Sequence, residues 1–238
     1  MTILFKTVVG SHAWNMQRPD SDIDIFEGYI VPTKDILSGI LRQNSHFTAG
    51  EAKDESRHEI GVIIEQLLKG NFNFMVGVCS PITEEDKYGY LAELRDIVKR
   101  NLAKNIYHST MGLAYHNYKK YILNNESRIA EYDNVNGKLH LKESAPKKIL
   151  TPFEIQKKTN QVVRSLMFGH SILKEGKINY YQITDQETSE IQYWMNRLDE
   201  AYKLSELPEK PDPTEFRSFL YRLRMDELNN SLLTQVWV

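Results

Sequence analysis

The sequence predicts an α+β protein, and three observations carry that expectation. A β-branched apolar run, Thr2 to Val9, stops at a glycine. A second run, Asp22 to Val31, alternates charged and apolar residues, as a strand buried on one face does. Beyond residue 80, apolar residues recur at helical spacing. The expected organisation is therefore a core over residues 1–80 and a mainly helical region over 81–238.

Taken in order, Thr2 to Val9 reads as a buried strand that ends in a tight turn at Gly10, with a short helix expected from His12 to Met16. The Gly10-Ser11 turn lets backbone N–H groups approach an anion closely, and a helix start adds partial positive charge. His12, next in line, is a candidate contact for a phosphate or a base; a solvent-facing helix residue is the alternative. After the polar break Gln17 to Ser21, Asp22 and Asp24 lie two apart on a strand and so project together. Ile23 and Ile25 then face the other way. Two unpaired carboxylates this close repel each other, and a hard divalent cation such as Mg²⁺ relieves that repulsion.

An acidic stretch from His46 to Glu59 precedes an amphipathic run from Ile60 to Leu68. Thr83-Glu84-Glu85 reads as a capped helix start, with Tyr90, Leu91, Leu94, Ile97, Val98 and Leu102 at helical spacing after it. Tyr107 to Ile122 is a further helix whose aromatic residues form either a core stripe or a surface for stacking bases. Asn124 to Thr151, containing Asn136-Gly137 and Pro146, breaks the pattern and is expected to be a mobile or substrate-contacting loop. Pro152 opens a helix from Phe153 to Lys174, ended by Gly176. Helices from Asp185 to Leu204 and from Thr214 to Leu228 follow, separated by the stiff linker Leu207 to Pro213.

A chain of 238 residues with 41% hydrophobic content holds a real core. No apolar run approaches the roughly twenty residues that span a bilayer. Met1 to Val9 lacks the apolar stretch and small-residue site of an export signal, so the cytoplasm is the expected location. The single cysteine, Cys79, excludes an internal disulfide and reads as a buried thiol. A net charge of -2 gives no global attraction for nucleic acid, so RNA binding would need a local patch. Lys138, Lys142, Lys147, Lys148, Lys157 and Lys158 outnumber Glu143 and Glu154 and form the candidate patch. Solvation of a loop is the alternative for these lysines.

Strand, Gly-Ser, short helix, then Ser-Asp-x-Asp on a second strand resembles the DNA polymerase β superfamily of nucleotidyltransferases. Gly10-Ser11-His12-Ala13, Pro19-Asp20-Ser21-Asp22-Ile23-Asp24 and Gly28 resemble the predicted nucleotidyltransferases associated with RNA-repair operons. Lys69-Gly70-Asn71-Phe72-Asn73 and Ser80-Pro81 are similar to further segments of that branch, as are Lys157-Lys158, Arg164 and Ile172 to Gly176. Phe72 replaces the branch's usual proline, and Val76 falls about where it has a glutamate.

The resemblance implies a small mixed sheet flanked by helices, with a third acid on a later strand. Asp54, seventeen residues before Asn71, matches that position, with Glu55 and Glu59 as alternatives and ordinary surface charge as the bland reading of all three. It implies an enzyme that uses Mg²⁺ or Mn²⁺ to move an NMP from an NTP to a hydroxyl, releasing pyrophosphate, with an RNA end as the favoured acceptor. Asp22 and Asp24 would ligate metal, Asp54 would complete the acidic set, and Gly10 and Ser11 would hold the β- and γ-phosphates. Lys157 or Lys158, together with Arg164, would reach the triphosphate; an ion pair is the structural alternative for Arg164. Nucleotidylation of a protein or small molecule, or a non-catalytic nucleotide sensor, are the other readings.

Overall fold

The computed structural model describes the chain except residues 20, 41–44, 49–52, 124–125, 129–131, 136–137, 142–146, 184–185 and 236–238, with backbone only for 45–48, 53, 126–128, 132–135, 138–141, 147–148 and 230–235. Among the described residues the main sheet has five strands: β1 (Thr2–Val9), β2 (Ile23–Ile30), β3 (Ser45–Thr48), β4 (Lys53–Glu59) and β5 (Ile82–Asp86), in the order β3-β4-β2-β1-β5. Only β2 and β4 run parallel; the other neighbours are antiparallel. The fold is α+β with a mixed sheet, as the sequence predicts.

Between the strands lie α1 (Gly10–Ala13), α2 (Thr33–Leu37), α3 (Ile60–Leu68) and α4 (Phe72–Cys79). The first turn of helix comes two residues earlier than expected. Trp14 and Met16 N–H groups both donate back to the Ser11 carbonyl, and Asn15 takes a positive φ of 54°, which ends the helix before Met16. α4 packs on the sheet face that carries Thr7 and Phe26. A Cβ on Gly77 would lie 2.4 Å from the Phe26 ring, so only glycine lets helix and strand approach this closely. The Thr7 hydroxyl seals the contact by donating to the Gly77 carbonyl at 2.7 Å.

Residues 83–85 form a strand and not a helix start. They pair with β1, Thr7 opposite Thr83 and Lys6 opposite Glu85, because the open edge of β1 offers backbone partners that a lone helical turn lacks. The sheet thus takes its fifth strand from beyond residue 80. Capping passes to Asp86, whose carboxylate accepts from the Leu91 and Ala92 N–H groups at 2.8 and 3.1 Å. They open α5 (Tyr90–Arg100).

α6 (Ile106–Asn117) runs into a π-helical turn, Tyr118–Leu123. The segment expected to be a loop carries strands: β6 (Glu126–Arg128) pairs with β9 (Lys147–Ile149), and β7 (Tyr132–Val135) with β8 (Lys138–Leu141). Asn136-Gly137 lies outside the described residues. α7 (Pro152–Glu175) has proline in its first turn and a Thr151/Glu154 capping box, and it ends on Gly176 in the left-handed region. α8 (Ser189–Leu204) starts later than expected, Asp185 lying outside the described residues. The linker is held where the Lys104 N–H donates to the Pro208 carbonyl at 2.8 Å.

α9 (Pro213–Gln235) returns to the sheet. Arg224 pairs with buried Glu59 at 2.5 Å, and the Thr33 N–H donates to Glu227 at 2.7 Å. Glu59 also caps α3 by accepting from the Gly61 N–H at 2.7 Å. Glu59→Ala removes the cap and strands a guanidinium that is mostly buried. Breaking such a pair costs about 3 kcal/mol or more, and we expect that loss as a lower urea midpoint at unchanged m-value.

Candidate active site

Strand register assembles the acids. Asp24 in β2 lies opposite Val9 in β1 and beside Asp54 in β4. Partners directly across a sheet share a face, so Asp24 and Asp54 emerge together at the end of β1 where Gly10 begins the turn. Glu55, one residue on, belongs to the other face, where its Oε2 accepts from Arg57 at 2.7 Å. Glu59 is consumed by the α3 cap and Arg224. Of the three candidates for a third acid, Asp54 is the one brought beside Asp24.

Gly10 is fitted to this arrangement. Its φ is +63°, and a Cβ there would lie 1.8 Å from Asp24 Oδ2, so the backbone occupies space no side chain can share. Burial raises the Asp24 carboxyl above the ordinary range, and the charges of Asp54 and Asp22 raise it further; Lys157 and His12 pull the other way. Four of the residues singled out in the sequence therefore act on one carboxyl group. Asp22 itself is exposed, so the cluster is open to solvent. His12 Nε2 is buried without a hydrogen-bond partner. No side-chain hydrogen bond caps α1, and the Ser11 carbonyl serves the turn.

One face of α7 supplies the cations. Lys157, Arg164 and Phe168 recur at near-helical spacing. Phe168 packs edge-on against Trp14, with centroids 5.9 Å apart, and the Arg164 guanidinium lies 5.0 Å above the same indole. Arg164 also contacts Met16 Sδ at 3.7 Å. It has no carboxylate partner among the described residues. Burial alone lowers it to about 10, which leaves it charged at neutral pH. Lys158 points elsewhere, its Nζ 4.7 Å from the Tyr121 ring centroid. Trp14 and Tyr121 were not singled out as site residues; a tryptophan directly after Gly-Ser-His-Ala and a lysine-flanked tyrosine are the signals that could have found them.

Among the described residues, no other candidate is placed beside the acids. Of the lysine patch, Lys142 lies outside the described residues, and Lys138, Lys147 and Lys148 lie in strands described by backbone only. The Cys79 residue reaches the surface in part, yet burial pushes its thiol up to about 12, which makes it a poor nucleophile. A cavity of about 460 Å³ lined by His170, Arg197 and Leu204 sits near the C-terminal end of α7, about 20 Å along the helix from Lys157 at 1.5 Å per residue. Among the described residues no three His, Cys, Asp or Glu side chains converge as a preformed metal cage.

Paired acids occur in many sheets; their place directly after a glycine-bounded turn narrows the class to the DNA polymerase β type of nucleotidyltransferase fold. The chain belongs to the RNA repair pathway DNA polymerase beta family, RlaP, which it matches over residues 1–225. No curated protein matches the chain. The two departures have local explanations. The Phe72 N–H donates to Ser109 Oγ at 2.7 Å, which a proline cannot do. Val76 is buried in the core, and its carbonyl accepts from the Tyr180 hydroxyl at 2.6 Å.

A carboxyl raised in the folded state binds its proton more tightly there than in the unfolded chain. Its contribution thus favours the fold at low pH and is lost as pH rises through the window between the two values. Asp24→Asn removes that penalty. We expect the metal-free variant to melt higher than the parent at neutral pH, with the difference shrinking toward pH 4, as followed by circular dichroism.

Proposed function

We propose that the protein is a divalent-metal-dependent nucleotidyltransferase that moves an NMP from an NTP to a hydroxyl, an RNA end by preference, and releases pyrophosphate. The observation that carries this reading is the Asp24 carboxyl, packed on Gly10 and raised by burial and then by its neighbours Asp54 and Asp22. Such crowding costs stability and gains a purpose when a cation sits among the acids. The donors are all oxygen, the set that suits Mg²⁺ or Mn²⁺; Mg²⁺ needs only one or two carboxylates, the rest coming from phosphates and water.

Asp22 and Asp24 would hold the metal, which when bound supplies Lewis-acid polarisation and neutralises charge on the departing pyrophosphate. At the turn that Gly10 opens, Ser11 would offer its N–H and hydroxyl to the β- and γ-phosphates. Arg164, lacking an acid of its own, and Lys157 meet triphosphate oxygens with charge-assisted hydrogen bonds. The buried His12 Nε2 gains its missing partner from the same anion. Asp54 Oδ accepts the proton of the incoming hydroxyl.

Labelled NTPs incubated with Mg²⁺ or Mn²⁺ and an RNA, protein or aminoglycoside acceptor test this reading. Transfer of label to RNA with pyrophosphate release is expected; label on protein or aminoglycoside alone would change the acceptor. Nucleotide binding with no pyrophosphate release under any condition would favour the sensor. Asp22→Ala and Asp24→Ala should abolish transfer in folded protein. Asp54→Asn should lower kcat by about 10²- to 10⁴-fold. Arg164→Gln should raise KM for the NTP about tenfold or more, the worth of one hydrogen bond to a charged group.

A further inference from the structure

Around the start of α7, cations rest on aromatic rings instead of carboxylates. Arg18 Cζ lies 4.3 Å from the Phe153 ring centroid, and Phe153 is 51% exposed in the first turn of α7. Tyr121, in the π-helical turn, has Lys158 Nζ at 4.7 Å and Lys120 Nζ at 4.8 Å from its centroid. Lys157, which acts on Asp24, stands between these two groups along α7. None of Arg18, Lys120, Lys157 or Lys158 is ion-paired among the described residues. Several cations elsewhere are matched by acids: Lys69 by Glu65, Arg100 by Glu215, Arg222 by Glu93.

We infer that Phe153 and Tyr121, with their attendant cations, form a track that binds a single-stranded RNA end and delivers its hydroxyl to Asp24 and Asp54. The inference rests on the transferase reading above and names the form in which the acceptor arrives. Alternating rings and cations match the alternation of bases and phosphates along a single strand. An ammonium over the half-buried Tyr121 ring is held by about 2 kcal/mol at most; an arriving base takes the ring face, and the displaced lysine turns to the adjoining phosphate. A duplex keeps its base faces stacked inside and has none to offer these rings, and an acidic peptide has charge but no base faces. With a net charge of -2, the chain draws RNA only where cations are locally unmatched.

Fluorescence anisotropy on the full chain, without metal or NTP, tests the track with a short labelled single-stranded RNA and a blunt duplex of the same length. The single strand should bind more tightly. Tyr121→Ala should weaken it about tenfold, the loss of one base stack, while Tyr121→Phe should retain binding. Lys120→Gln should lower the slope of log affinity against log salt by about 0.7, one phosphate contact. Circular dichroism checks that each variant is folded; should Tyr121→Ala unfold, photo-cross-linking of a thiouridine-bearing strand to the parent protein should map to Tyr121 or Phe153. Unaltered affinity and slope in folded variants, equal or tighter duplex binding, or cross-links confined to other surfaces would overturn the track. Because binding is read without chemistry, a failure of nucleotidyl transfer is a separate result.

Discussion

The pairing of β2 on both its edges is the constraint from which the site follows. Antiparallel to β1 on one side and parallel to β4 on the other, β2 fixes Val9, Asp24 and Asp54 in one row across the sheet. Because side chains alternate, a slip of one residue would turn Asp24 away from Gly10 and bring an isoleucine in its place. The core resists that slip. Ile25 and Phe26 are both buried, and Phe26 is clasped between Phe5, Phe74 and the bare backbone of Gly77. Apolar packing a few residues up the strand thus holds together carboxylates that would otherwise move apart.

α7 does for the cations what β2 does for the acids. Its start is fixed by the Thr151 capping box and its middle by Phe168, which meets Trp14, Phe72 and Tyr180 edge-on. Trp14 is shared between the two halves: it follows α1 in sequence, packs on α7, and carries the Arg164 guanidinium on its ring. The turn after β1 and the cationic face of the helix are therefore one packed unit.

Much of this was legible in the residues because local pattern and final environment agree. β1 covers Thr2–Val9 as expected, β2 and α3 fall where alternation and amphipathicity put them, and α7 begins at Pro152 and stops before Gly176. Asp54 came from resemblance, and strand register later put it beside Asp24 while sending Glu55 to the opposite face. What the sequence hid was set by distant partners. Thr83-Glu84-Glu85 has the look of a helix start, and it became a strand because β1 had a free edge. The strands between residues 126 and 149 are three or four residues each, too short to register as alternation. Tyr121 reads in the sequence as either a core-stripe or a base-stacking aromatic, and the structure sets it in a π-helical turn against Lys120 and Lys158.

The clasp of α9 on the sheet also governs how the chain comes off the ribosome. Arg224 reaches back 165 residues to Glu59, and Glu227 reaches back 194 to Thr33. At roughly 5–20 residues per second, the nascent sheet waits on the order of ten seconds or more for α9. During that interval a carboxylate destined for burial has no guanidinium to meet, and apolar surface meant for α9 faces water.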